Sequence, residues 1–229
     1  MLEILYEDNH IIAVNKKNGD LVQGDETGDQ PLSEFVKTYI KEKYEKPGEV
    51  FLGVVHRLDR PVSGVVLFAR TSKALSRLNA LFQTKEIQKT YWAVVKNLPT
   101  ISGNTPTSGT LVHYHQKNEK QRRAKLFDKE VVHSKKCILH YKVIANIEKY
   151  YLLEIQLETG RFHQIRAQLA KVGAPIKGDI KYGYERPNEN ARSIHLHARK
   201  IEFIHPIKKE KIEIIAPTPN EKIWNLLQT

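Results

Sequence analysis

Residues 54–70 read VVHRLDRPVSGVVLFAR. The run SGVVLFA (63–69) has the β-branched and aromatic make-up of a strand buried on both faces, and VFLGVV (50–55) just before it reads as a second. Such strands usually shed charge, yet Arg57, Asp59 and Arg60 lie where the chain turns from one to the other. An exposed ion pair contributes only ~0–1 kcal/mol, so stability gives little reason to put one there. A carboxylate at a strand end, kept ionised by nearby guanidinium groups, suits a nucleophile or a base. Pro61 and Gly64 restrict the chain just after Asp59 and would hold its side chain at one angle. The plainer reading, a turn aspartate paired with Arg57 or Arg60, stays open at this point.

Working outward, EILYEDNHIIAVNKK (3–17) reads as a hairpin turning at Asp8, Asn9 and His10. PLSEFVKTYIKEKYE (31–45) opens on Pro31 as a first-turn residue and spaces Leu32, Phe35, Val36, Tyr39 and Ile40 on one helical face. TSKALSRLNALFQTK (71–85) predicts a second helix capped by Thr71 or Ser72, with Leu75, Leu78 and Leu81 inward. QKTYWAVVKN is the next strand. Residues 97–109 form a Pro/Gly/Ser/Thr-rich loop, and the basic segment 117–129 is expected as an exposed loop or loose hairpin. Residues 135–158 give two strands joined at Asn146 to Lys149. GRFHQIRAQLAKVG is a short helix with Ile165, Leu169 and Val172 on one face and Gly173 as its stop. SIHLHARKIEFIHP and KIEIIAP are strands, and NEKIWNLL is a terminal helix. Strands outnumber helices and several neighbours suit hairpins. The expected fold is therefore α+β, a mainly antiparallel sheet with helices laid against it, in one domain over residues 1–229.

Composition narrows function. Thirty-seven Lys and Arg against 26 Asp and Glu give a formal charge of +11, an excess that attracts polyanions, nucleic acid above all. No apolar run reaches the ~18 residues of a membrane helix, and the acidic N-terminal stretch reads as no signal peptide. Cys137 is the single cysteine, which excludes an internal disulfide and a cysteine-clustered metal site and favours a reducing, cytoplasmic setting. His195 and His197 would share a strand face, but no acidic or cysteine ligand lies at useful spacing, so no metal is expected. Ser63 lacks a nucleophile-elbow context, and neither a Walker loop nor a dinucleotide fingerprint occurs.

Two further segments could carry chemistry. In LETGRFHQIRAQL (157–169), Arg161 follows Gly160 at a helix mouth with Thr159 as candidate cap; backbone N–H groups and the arginines there would make an anion site. An ordinary basic helix end fits as well. In QKTYWAVV, alternation puts Tyr91, Ala93 and Val95 on one face. Tyr91 reads as a core or sheet-face tyrosine, or as one that stacks on a base beside a nucleic-acid cleft.

Taken together, HRLDRPVSG, KTYWAVV, GRFHQIR, GDIKYG and ARKIEFIHP, in that order, resemble the catalytic domain of the RluA-type pseudouridine synthases, and IIAVNKKNGDLV resembles the family's opening strand. The resemblance spans nearly the whole chain and lacks the small N-terminal RNA-binding domain that many relatives carry. It implies a mixed, mainly antiparallel sheet with a central cleft binding structured RNA, and a cofactor-free isomerisation. The uridine glycosidic bond breaks, the base turns, and C5 is joined to the ribose.

On the same resemblance Asp59 is the catalytic carboxylate, Tyr91 packs against the target base and helps remove the C5 proton, and a buried Arg161 pairs with the aspartate. Arg57 takes the space of the flipped-out nucleotide. Arg60, His163, Gln164, Arg166, Arg122 and Arg123 are expected to contact RNA, with loops 97–109 and 117–129 choosing the target. A monomer is expected, with rRNA or tRNA as partner. Departures from the family pattern are Pro61-Val62 for Asp-Thr, Phe162 for a small Thr or Ser, Lys17 for Pro and Gln168 for His; they bear on the target rather than the reaction. The alternatives are a catalytically idle RNA-binding or chaperone relative and a metal-dependent nuclease. The second is disfavoured because the acids are scattered.

Overall fold

The computed structural model describes residues 2–26 and 28–228. In chain order its elements are β1 (Ile4–Glu7), β2 (Ile11–Lys16), α1 (Leu32–Lys43), β3 (Gly53–Val54), β4 (Ser63–Ala69), α2 (Ser72–Gln83), β5 (Gln88–Val95) and β6 (Ser108–Asn118). There follow β7 (Arg123–Phe127), β8 (Lys135–Ile147), β9 (Tyr150–Leu157), α3 (Gln164–Lys171), a 3₁₀ turn (Ile180–Tyr182), β10 (Leu196–Ile204), β11 (Lys211–Ile215) and α4 (Lys222–Leu227). Packing groups them into two compact units, Met1–Lys89 with Ala198–Pro219, and Thr90–His197 with Asn220–Thr229.

In the first unit the strand order is β1-β2-β4-β10, with β3 on β4 and β11 on β10. The pairings β1–β2, β2–β4, β3–β4 and β10–β11 are all antiparallel. All seven residues of β4 are buried, as a strand covered on both faces requires. On one face Val66 and Phe68 join Ile12 and Val14 of β2 and Val36 and Ile40 of α1 in a single apolar cluster; each such side chain contributes roughly 1.5–3 kcal/mol when fully buried. Three expectations change here. The strand predicted at 50–55 is only Gly53–Val54, paired with Ala69 and Phe68, so the HRLD stretch is irregular backbone. Phe35, placed on the buried face of α1, is 49% exposed, because Leu32, Val36 and Ile40 already complete that face. Pro31 stands just before the helix rather than in its first turn. Thr71 caps α2, its hydroxyl accepting the Ala74 N–H at 3.1 Å.

In the second unit the order is β5-β9-β8-β6-β7, again antiparallel throughout. Val94, Leu152, Trp224 and Leu227 form one core cluster. The segment expected as a loose hairpin is a regular one, β6 and β7 pairing from Tyr114–Phe127 to Asn118–Arg123. The α3 helix is buried from Gln164 to Leu169, more completely than its single predicted apolar stripe suggested. The α+β, mainly antiparallel fold stands.

Candidate active site

Asp59 sits on the irregular stretch between β3 and β4, and three ties fix that stretch. The His56 Nε2 accepts the Leu67 N–H at 2.9 Å, and its ring stacks on Phe82 with centroids 5.1 Å apart. An accepting Nε2 requires the neutral ring. Loss of hydration, helped by the nearby Lys89 charge, pushes the His56 pKa down to about 3. From below, Lys16, only 1% exposed, donates to the carbonyls of Lys17 (2.9 Å), Arg60 (3.0 Å) and Val62 (2.6 Å). Burial lowers its pKa to about 8, against the opposing pull of Asp20 and Asp59. Asp59 itself closes a tight turn, its carbonyl accepting the Val62 N–H at 3.0 Å. Beyond the turn, Gly64 has φ +114°, and a Cβ there would stand 2.3 Å from the Ala198 carbonyl oxygen of β10, so only glycine fits.

The arginines around Asp59 differ. Arg57 is exposed. Arg60 is tied down: its Nε donates to the Gly19 carbonyl at 3.0 Å, its carbonyl accepts the Gly19 N–H, and its guanidinium pairs with the Asp29 carboxylate. Arg60 therefore links the Asp59 turn to the segment after β2.

In the second unit, Tyr91 lies on β5 opposite Ile155 of β9 and is 9% exposed. Arg161 is exposed rather than buried; its main chain is what is held. The buried Gln164 accepts the Arg161 N–H at 2.9 Å and the Thr159 hydroxyl at 2.8 Å through one oxygen, while its Nε2 donates to the Ile138 carbonyl at 3.1 Å. Thr159 in turn accepts the Ile138 N–H at 2.9 Å. Thr159, expected as a helix cap, instead belongs to this staple. The residue at the helix start is His163, in the left-handed region at φ 52°.

His163 Nδ1 lies 2.9 Å from the Tyr182 hydroxyl, which accepts the Ala124 N–H at 2.7 Å. The hydroxyl proton therefore points to Nδ1, consistent with a neutral ring whose pKa burial, and then Arg166 and Lys181, push down to about 3. The His163 ring stacks on Phe162 at 3.7 Å. Arg166 is buried and makes a two-pronged bond to Asp179, 2.7 and 2.9 Å. Gln164 and Arg166, expected to meet RNA, are thus inside the protein with their polar groups on protein partners. Arg122 is exposed at the β6–β7 turn, and Arg123 lies over the Tyr182 ring at 5.1 Å.

Sequence reasoning missed Lys16, His56 and Tyr182 as supports. For Lys16 the signal was present: strand alternation puts it on the face of Ile12 and Val14, where a lysine needs buried acceptors.

The first unit thus holds a carboxylate on a pinned turn, the second an arginine on a stapled loop, and the chain carries a formal charge of +11. The sequence model of the RNA pseudouridylate synthase family matches residues 10–171. A tRNA pseudouridine synthase C from Vibrio vulnificus is 32% identical, the alignment covering 99% of this chain and 94% of that one. A ribosomal large subunit pseudouridine synthase C from Buchnera aphidicola is 34% identical over 93% of this chain and 66% of its own. The solved structure of human RNA pseudouridylate synthase domain containing 4 has the same fold, with a TM-score of 0.78 at 22% identity over 98% of this chain and 91% of that one. The chain belongs to the RNA pseudouridylate synthase family. It is a pseudouridine synthase, an isomerase of RNA. No helix among the described residues is long and apolar enough to cross a membrane.

Proposed function

We propose that this enzyme converts particular uridines of tRNA or rRNA to pseudouridine, with Asp59 as the catalytic carboxylate and the whole chain acting as one catalytic domain. The supporting observation is the Asp59 turn, held by Lys16 through three carbonyls, by His56 from β4, and by the Gly64 approach to β10. A turn fixed from three sides presents one side chain at one angle, as catalytic positioning requires.

The reaction breaks the N1–C1′ bond, rotates the base and forms a C5–C1′ bond. The proton leaves C5 and N1 gains one, so atoms balance without redox change or cofactor. A uridine within folded RNA must first be flipped out, at a cost of a few kcal/mol. In this reading Tyr91 packs against the extruded base, Arg161 is the cationic partner of the reaction, and Arg57 occupies the vacated position. Arg122 and Arg123 add phosphate affinity without sequence information. The relatives' names support both substrate classes, tRNA and large-subunit rRNA.

The test is tritium release from tRNA and rRNA carrying 5-tritiated uridine, with wild type and Asp59→Asn side by side. Release by wild type alone, from one pool, supports the reading and fixes the substrate class. Near-wild-type release by Asp59→Asn removes Asp59 from the mechanism. RNA binding with no release in either pool favours the idle-relative alternative.

A further inference from the structure

Between β7 and α3 the second unit has a groove of about 410 Å³, within the roughly 300–1,000 Å³ of ligand clefts. Ala167, Ala170 and Leu126 give it apolar lining, and Asn118 and Gln121 add polar side chains. Its rim is cationic, formed by Arg123, Lys125 and Lys171. One carboxylate stands close by, Asp128, 3.1 Å from the Lys171 ammonium. A surface that met phosphate alone would need the cations but not the apolar lining.

The wall of the groove is layered. Arg166, buried and doubly bonded to Asp179, has its guanidinium carbon 5.1 Å from the centre of the Tyr182 ring. Arg123 lies over the same ring, also at 5.1 Å, and is exposed. The Tyr182 hydroxyl takes the Ala124 N–H, so the strand carrying Arg123 is fixed to the ring it covers. The exposed Arg123 guanidinium is then held beside the groove, a group on which unpaired bases stack.

We propose that this groove is a nucleotide subsite. It takes one unpaired nucleotide of the bound RNA, the base lying on Arg123 and against Ala167 and Ala170, and the phosphates meeting Lys125 and Lys171. The inference rests on the reading that the substrate is RNA; it makes no use of Asp59.

The discriminating variant is Ala170→Trp, which fills the groove and leaves the charge unchanged. Stacking of one base contributes about 1–3 kcal/mol, so Ala170→Trp should weaken binding of transcribed tRNA or rRNA about tenfold, with its thermal midpoint retained. Lys125→Glu weakens binding under any electrostatic scheme and serves as the control. If Lys125→Glu weakens binding while Ala170→Trp binds within about twofold of the parent, the site is a phosphate patch and the proposal falls.

Photocrosslinking needs no groove variant. Asp59→Asn protein irradiated with the same RNAs carrying 4-thiouridine should yield crosslinked peptides from 123–126 or 167–171. Crosslinks confined to other segments overturn the proposal. Tritium release separates the two ideas: crosslinking in the groove without release by wild type would sink the catalytic reading and leave the subsite standing. Release without either groove signal would do the reverse.

Discussion

The ammonium of Lys16 donates a 2.6 Å hydrogen bond to the carbonyl oxygen of Val62. Val62 returns along the same turn, its N–H donating to the Asp59 carbonyl, so one buried cation braces the loop that carries the carboxylate. Lys16→Met keeps the length of the side chain and removes the donor from three carbonyls. The expected cost is about 2–4 kcal/mol, from stranded acceptors in a water-poor site. Amide exchange at Val62 should accelerate beyond what the global loss explains. An unfolding free energy within about 0.5 kcal/mol of wild type, with Val62 still protected, would mean that Lys16 braces nothing.

Gln164 separates positioning from contact. Gln164→Glu keeps the oxygen that accepts the Arg161 N–H and the Thr159 hydroxyl; Gln164→Ala keeps neither. Loss of those bonds should cost about 1–3 kcal/mol. If the staple serves Arg161, kcat should fall for the alanine variant, with KM for RNA nearly unchanged and much of kcat recovered in the glutamate variant. A direct RNA contact would instead raise KM, and most in Gln164→Glu, where a new negative charge would meet phosphate.

Gly64 is required on two grounds at once. Its φ of +114° is strained for any L side chain, and a Cβ would meet three backbone atoms of Ala198 at 2.3–2.7 Å. Backbone cannot yield as a flexible side-chain end would. Gly64→Ala should destabilise by about 3 kcal/mol or more, read from denaturant melts. A cost below about 1 kcal/mol would show that β4 and β10 can part here without penalty.

How much of this was legible in the sequence depends on the range of the interaction. Periodicity found β4, α1, α2 and α3 because burial of one face is written at fixed spacing. It overextended β3, since VFLGVV has strand composition but only Gly53 and Val54 find partners on β4. It misplaced Phe35 because helix spacing names a face without saying how wide the neighbour is. The order of motifs along the chain singled out Asp59, Tyr91 and Arg161. The supports were harder: Lys16 lies 46 residues from Val62 and Tyr182 lies 58 from Ala124, and no local pattern encodes such pairs. The resemblance makes Gln164 and Arg166 RNA-facing, whereas burial and their hydrogen bonds to Arg161, Thr159, Ile138 and Asp179 give them structural work.

The His56 tie gives stability a pH dependence of defined sign. Folded, the ring holds its pKa near 3, chiefly through burial, against about 6.5 in the unfolded chain. Between those values the unfolded state binds the extra proton, so unfolding becomes easier as pH falls. The contribution of the neutral ring is fully present above about pH 6.5 and is lost progressively toward pH 3. Protonation would also remove the lone pair that accepts the Leu67 N–H, releasing the stretch that carries Asp59. His113, His115, His163, His195 and His205 share the same direction, so the wild-type slope contains all six groups and a variant is needed to isolate His56. Gln at position 56 can accept the same N–H but does not titrate. His56→Gln should therefore be less stable than wild type at pH 7.5, and its deficit should shrink as the pH is lowered from 6.5 to 4 in denaturant melts. A deficit that stays constant over that range would mean that His56 is protonated alike in the folded and unfolded chain, and its accepting role would be lost with it.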